Sequence, residues 1–145
     1  MRHHLAILYR PYLEEIMCGS KRIECRLGKI GYPPHGLVGS GDLIWLKETN
    51  GPVRAVASVA AVQLFHPLTD DLLDWVRHEF GDQIRAPAAF WRAGVDATAA
   101  TLIGFDFVCC LRPFRIVKRD RRAWVPLAGP PIPGHSVRSF RGQLA

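Results

Sequence analysis

The sequence predicts an α+β protein, mostly β: a small, partly closed β-barrel of five or six mainly antiparallel strands flanked by two or three short helices. Three observations lead there. Segments of strand length recur along the chain, and residues 42–65 offer no helix between strands, whereas a parallel α/β sheet needs one after nearly every strand. Asn50-Gly51 stands between two apolar runs, a strong hairpin signal. Helical spacing of apolar positions is clear in only two stretches, near residues 11–18 and 70–80.

The elements follow in order. Residues 4–8 form an apolar run of strand length. Pro11 fits the first turn of a helix, where its missing N–H costs nothing, and Leu13, Ile16 and Met17 give that helix an apolar face. Gly19 suits the position that ends it. In residues 21–26, Ile23 and Cys25 alternate with Arg22, Glu24 and Arg26, so a strand with an apolar and a charged face is expected. Residues 28–41 hold five Gly and two Pro and read as a loop. Residues 42–47 and 53–65 read as strands, the second long enough to be bulged or bent. Thr69 or Asp70 caps a helix whose stripe is Leu72, Leu73, Val76 and Phe80, with Gly81 closing it. Residues 82–100 are irregular, with Phe90-Trp91 as an exposed aromatic pair on a short helical turn. Residues 101–111 form a strand that Pro113 interrupts, and residues 114–118 continue it. A turn at 120–122 leads to a last strand at 123–126. Residues 1–127 thus read as one domain and residues 128–145 as a Pro/Arg-rich tail.

Composition narrows the function classes. The chain has 145 residues, 48% hydrophobic and 22% charged, which suits one globular domain and excludes a wholly disordered chain. No apolar run approaches the roughly 18–20 residues of a membrane-spanning helix, and the first residues lack the apolar stretch of a secretory signal, so a cytoplasmic protein without a membrane role is expected. Cys18, Cys25, Cys109 and Cys110 form no C-x-x-C, and the six histidines show no ligand spacing. Buried free thiols are expected, with neither metal nor cofactor. The net charge of +6 is unevenly placed: residues 112–145 carry eight Lys or Arg and only Asp120 as an acid. That asymmetry suits an anionic partner, nucleic acid first, or a solvated basic tail.

The segment richest in chemistry is Gly19-Ser20-Lys21-Arg22-Ile23-Glu24-Cys25-Arg26. With Ile23 and Cys25 facing inward, Glu24 and Arg26 share the other face, and Lys21 sits at the helix–strand corner. Such a set can bind, with Lys21 and Arg26 on a phosphate or base acceptor and Glu24 on an exocyclic amine. It can act in catalysis, with Lys21 as base or nucleophile and Glu24 tuning it. Or it is a surface salt bridge worth about 0–1 kcal/mol. Phe90 and Trp91, flanked by Arg85 and Arg92, suit base stacking, and Tyr9 and Arg10 suit the rim of a cleft. Arg121 and Arg122 beside Trp124 suit phosphate contacts. Trp45 reads as core and His66 as a turn residue, and neither Ser20 nor Ser40 has a neighbouring His–acid pair.

Gly19-x-Lys21-x-x-Glu24-x-Arg26 after a short helix resembles the signature of the ASCH domain superfamily. The Tyr9-Arg10-Pro11 opening, Gly41-Asp42 before a strand, Pro52-Val53-Arg54-Ala55-Val56 and Arg112-Pro113-Phe114 fit the same pattern, and the resemblance covers roughly residues 4–127. It implies a PUA-like fold, association with RNA or a modified nucleotide, and a cleft lined by Lys21, Glu24 and Arg26. Some small bacterial members hydrolyse N4-acetylcytidine with a Lys, a Thr and a Glu, and another is a ribonuclease. Lys21 matches the first of that set, Glu24 stands at the position of the Thr, and Glu79 is a loose candidate for the Glu. Binding therefore leads. An amidohydrolase or ribonuclease acting through Lys21 and Glu24 is the alternative, and a non-catalytic partner-binding domain is the third reading.

Overall fold

In a computed structural model that describes residues 1–140, six strands form one curved sheet with helices at its ends. The order along the chain is β1 (His3–Leu8), α1 (Arg10–Met17), β2 (Ile23–Gly28), β3 (Leu43–Glu48), β4 (Val53–Phe65), α2 (Asp70–Ile84), α3 (Ala88–Ala93), β5 (Ala99–Phe114) and β6 (Trp124–Leu127). Across the sheet the order is β2-β5-β4-β3-β1-β6. Four of the five pairings are antiparallel and β1 runs parallel to β3, so the sheet is mixed, and it forms the half-barrel of a PUA-like architecture.

Local chemistry explains the elements that position the site. Pro11 lies in the first turn of α1, and Leu13 and Ile16 bury its inner face. Gly19 adopts φ +86°, a left-handed conformation that glycine enters without a Cβ penalty, and it turns the chain toward β2. The Lys21 amide then bonds the Glu15 carbonyl, which fixes the start of the charged segment against α1. Thr69 caps α2 by accepting from the Leu72 amide.

The structure departs from the sequence-based expectations in four places. Helix α2 does not close at Gly81 but runs to Ile84, whose side chain is buried and extends the stripe of Leu73 and Val76. Arg85 takes the left-handed cap at φ +54° in place of a glycine. Strand β5 continues through Pro113, because its second half lies beyond the end of β2 and pairs with β4 alone; a proline is tolerated on such an edge. The same edge leaves Cys109 and Cys110 exposed, and Cys18 is exposed too, so all four thiols are free but only Cys25 is buried. Trp91 is 5% exposed and packs with Val76 and Ile84, so of the aromatic pair only Phe90 stays partly exposed. Residues 128–140, whose packing the sequence left open, lie on the body: Leu127 bridges to Ser139 and Val117 to Ser136, and the Ser139 hydroxyl donates to Asp120. Residues 141–145 of the expected tail lie outside the described residues.

The core divides into three clusters. One packs α1 on β1, β3 and β4 around Leu13, Ile16, Ile44 and Leu46. A second joins α2 and α3 to β2 and β5 around Val76, Ile84 and Leu102. The third lies under β6 around Leu5 and Val125. Between the first two, at the open seam where β2 faces β1 and β6, the chain leaves a cavity.

Candidate functional site

Lys21, Glu24 and Arg26 converge. All three line one cavity of about 610 Å³. Lys21 is 4% exposed and Glu24 7%, so this is not a surface salt bridge. Lys21 Nζ donates to the Ile84 carbonyl at the end of α2 and stands 3.6 Å from Glu24 Oε1. The extension of α2 past Gly81 brings that carbonyl to the lysine, and an ammonium suits the negative end of a helix. Glu24 Oε1 accepts from the Cys25 amide at 3.1 Å, while Glu24 Oε2 lies 3.4 Å from Arg26 Nη2. One carboxylate is thereby clamped between two cations.

Arg26 also closes the seam. Its Nη2 donates to the Ile7 carbonyl on β1 at 3.1 Å, and its guanidinium lies over the Trp124 ring on β6, 5.4 Å from the centroid. A side chain from one edge strand thus holds the strands at the other edge. Trp124 is held in turn: its indole N–H donates to His4 Nδ1 at 3.2 Å. An indole can only donate, so Nδ1 accepts and the proton sits on Nε2, which donates to Asp42 Oδ2 at 2.9 Å. Burial lowers the His4 pKa from 6.5 despite the opposing Asp42 bond, consistent with that neutral ring.

Charge in the cavity is one-sided. Lys21, Arg26, Lys118, Arg121 and Arg122 line it against the single carboxylate of Glu24. Asp120 engages Arg122 through both carboxylate oxygens, which holds the aspartate well below the usual carboxylate range. Burial lowers the Lys118 pKa. Donors outnumber acceptors at the floor: Lys21 carries three N–H groups and Arg26 five, more than Glu24, Ile84 and Ile7 take up. Burial, then the Glu24 charge, pushes the Cys25 thiol up to about 12, so the buried cysteine beside this network is a protonated, inert thiol.

Among the other expected site residues, Tyr9 lines the cavity and is 66% exposed, and Arg121 and Arg122 line its outer side. Arg10 does not line it; this exposed residue pairs with Glu14 one helical turn away, at 2.8 Å. Trp91 does not line this cavity, and Arg77, which does not line it either, lies over its ring. Glu79 is exposed on α2 and outside the lining. The lining also includes Phe90, which the sequence offered as a stacking residue, and Tyr12 and Thr49, which the sequence did not single out. Thr49 directly follows the last residue of β3. Among the described residues no three His, Cys, Asp or Glu side chains cluster as a metal site, and no helix is long and apolar enough to cross a membrane.

No protein-family model matches the sequence. No curated protein matches it either. Solved structures do resemble the fold. The crystal structure of ASCH from Zymomonas mobilis superposes with a TM-score of 0.62 at 16% identity, covering 77% of this chain and 72% of that chain. Two single-residue variants of that protein give 0.63, at 16% and 17% identity, with 79% and 78% of this chain covered and 76% and 73% of theirs. The fold is therefore ASCH-like, as the motif led one to expect.

Proposed function

We propose that the cavity binds a nucleotide unit, either as part of RNA or as a free, modified nucleotide. One observation carries the reading: a buried carboxylate and two cations with spare donors form the floor of a cavity whose walls are aromatic and apolar and whose outer side is basic. A base needs a flat apolar wall, which Tyr9, Tyr12 and Phe90 supply, and polar groups that read its edge, which Glu24 and Lys21 supply. A phosphate needs cations at the rim, and Arg121 and Lys118 stand there. The ASCH-like fold supports the reading.

The test is a titration of 5′-fluorescein-labelled rU4 at two salt concentrations. Phosphate contacts release counterions, so affinity falls steeply as salt rises. Salt-independent binding, or none at low salt, overturns the proposal. Arg121→Ala weakens binding and reduces the salt slope by about one, since it removes one phosphate contact. Arg121 is exposed and leaves the fold intact.

A hydrolytic reading keeps one observation in its favour: Lys21, Glu24 and the Thr49 hydroxyl share the cavity. It requires release of acetate from N4-acetylcytidine or cleavage of RNA by the wild-type protein, and loss of that turnover in Lys21→Arg with the fold retained. Wild-type protein that leaves both substrates untouched excludes it.

A further inference from the structure

The seam that holds the cavity does not end at Arg26. A second cavity, of about 270 Å³, lies on the other side of that residue. The two share Arg26, Arg122 and Ala123, so Arg26 stands with these two residues in the partition between them. The second cavity is built from the Gly/Pro-rich loop after β2 on one side and Trp124 on the other. It is not an apolar hollow. Tyr32, 66% exposed, stands in its lining with Lys29, which makes no ion pair or side-chain hydrogen bond among the described residues. His35 Nδ1 and the buried hydroxyl of Thr101, 3.2 Å apart, supply polar groups within it.

Resting on the nucleotide-binding reading of the first cavity, we infer that the second cavity is a subsite for the adjoining nucleotide, so that the ligand is a single-stranded oligonucleotide rather than a mononucleotide. The chemistry of the two cavities repeats. Each offers an aromatic ring to a base, Tyr9 or Phe90 in the first and Tyr32 in the second. Each offers a cation without an ion-pair partner among the described residues, Arg121 in the first and Lys29 in the second. Between them stands Arg26. Its Nη2 is occupied by Ile7 and Glu24, and its remaining N–H groups make no bond among the described residues. A backbone phosphate joining two bases must cross that partition, and a guanidinium fixed in place by strand β1 and by Trp124 is a preorganised donor for it. A stacking ring on an exposed loop is tolerant of base identity, so the second position selects for chain length more than for sequence.

The experiment compares UMP with fluorescein-labelled rU4 on wild-type protein and on Tyr32→Ala and Lys29→Ala, with circular dichroism to confirm the fold. Both side chains are exposed, so the variants leave the core untouched. Wild-type protein binds rU4 at least tenfold more tightly than UMP. Tyr32→Ala removes most of that advantage, and neither variant changes the affinity for UMP more than twofold. Equal affinity for UMP and rU4, or full retention of rU4 affinity in Tyr32→Ala, overturns the second subsite while leaving the first cavity's reading in place. Absence of binding by either probe overturns both.

Discussion

Two buried polar networks lie close together in this sheet, joined through Trp124, and they are put to different uses. In one, His4 accepts from Trp124 and donates to Asp42, and Asp42 also accepts from the amides of Arg2 and Gly39. Both ring nitrogens and both carboxylate oxygens find partners within the chain. In the other, Lys21, Glu24 and Arg26 hold more donors than the chain accepts, and they open on a cavity of about 610 Å³. Burial of polar groups is common to the two and so does not mark a site. An unspent donor set beside accessible space does.

The largest effects test that contrast through stability. Glu24→Ala leaves Lys21 buried without its carboxylate, which costs about 3–5 kcal/mol in a urea melt and abolishes nucleotide binding. Asp42→Ala strands the His4 Nε2–H and the Gly39 amide, at about 1–3 kcal/mol for each group left unpaired. It leaves the UMP affinity of the folded fraction unchanged. If Asp42→Ala weakens UMP binding as strongly as changes at Glu24, the two networks are not functionally separate and the comparison breaks.

Acid separates them next. Burial, opposed by the Asp42 bond, lowers the folded pKa of His4 from 6.5, so the unfolded chain takes up the proton first. Stability is then present above 6.5 and falls as the pH drops from 6.5 through the lowered folded value, below which this group adds nothing more. Arg2 and His3 face the ring and lower its pKa further. Thermal melts between pH 7 and pH 5 show the decline, and His4→Gln reduces it, leaving the contribution of His35, whose pKa burial and His66 also lower. An unchanged slope in His4→Gln removes the neutral-ring account.

Binding alone distinguishes the aromatic neighbours. Phe90→Ala weakens rU4 binding roughly tenfold through lost stacking. Trp91→Leu, in the core, lowers the melting temperature instead. The smallest effect falls at Arg10: Arg10→Ala leaves both melting and affinity where they were, because its ion pair with Glu14 lies in solvent.

Much of this was legible in the sequence for identifiable reasons. Period-two alternation marked β2, Asn50-Gly51 marked the β3–β4 turn, and Thr69 marked the start of α2. Alternation also placed Glu24 and Arg26 on one face, and Gly19 explains why Lys21 turns back toward them. What was not legible depends on contacts distant in the chain. Ile84 continues a stripe that Gly81 seemed to end, because burial against β2 outweighs the local cost of glycine. Trp91 looked exposed because it sits amid Ala, Pro and Gly, yet α3 folds it onto α2. Pro113 looked like a strand break and Cys109 and Cys110 looked interior, because nothing local shows that β2 is too short to cover that half of β5. The partition role of Arg26 rests on Ile7 and Trp124, 19 residues before it and far beyond it in the chain, and no local pattern signals either.

The most direct measurement is a ¹⁵N–¹H correlation spectrum of the folded protein titrated with UMP. Shifts concentrated at the amides of residues 21–26 and 90, with little change at Asp42 and Gly39, are the expected result. Shifts spread over the exposed basic surface, with residues 21–26 unmoved, contradict the account.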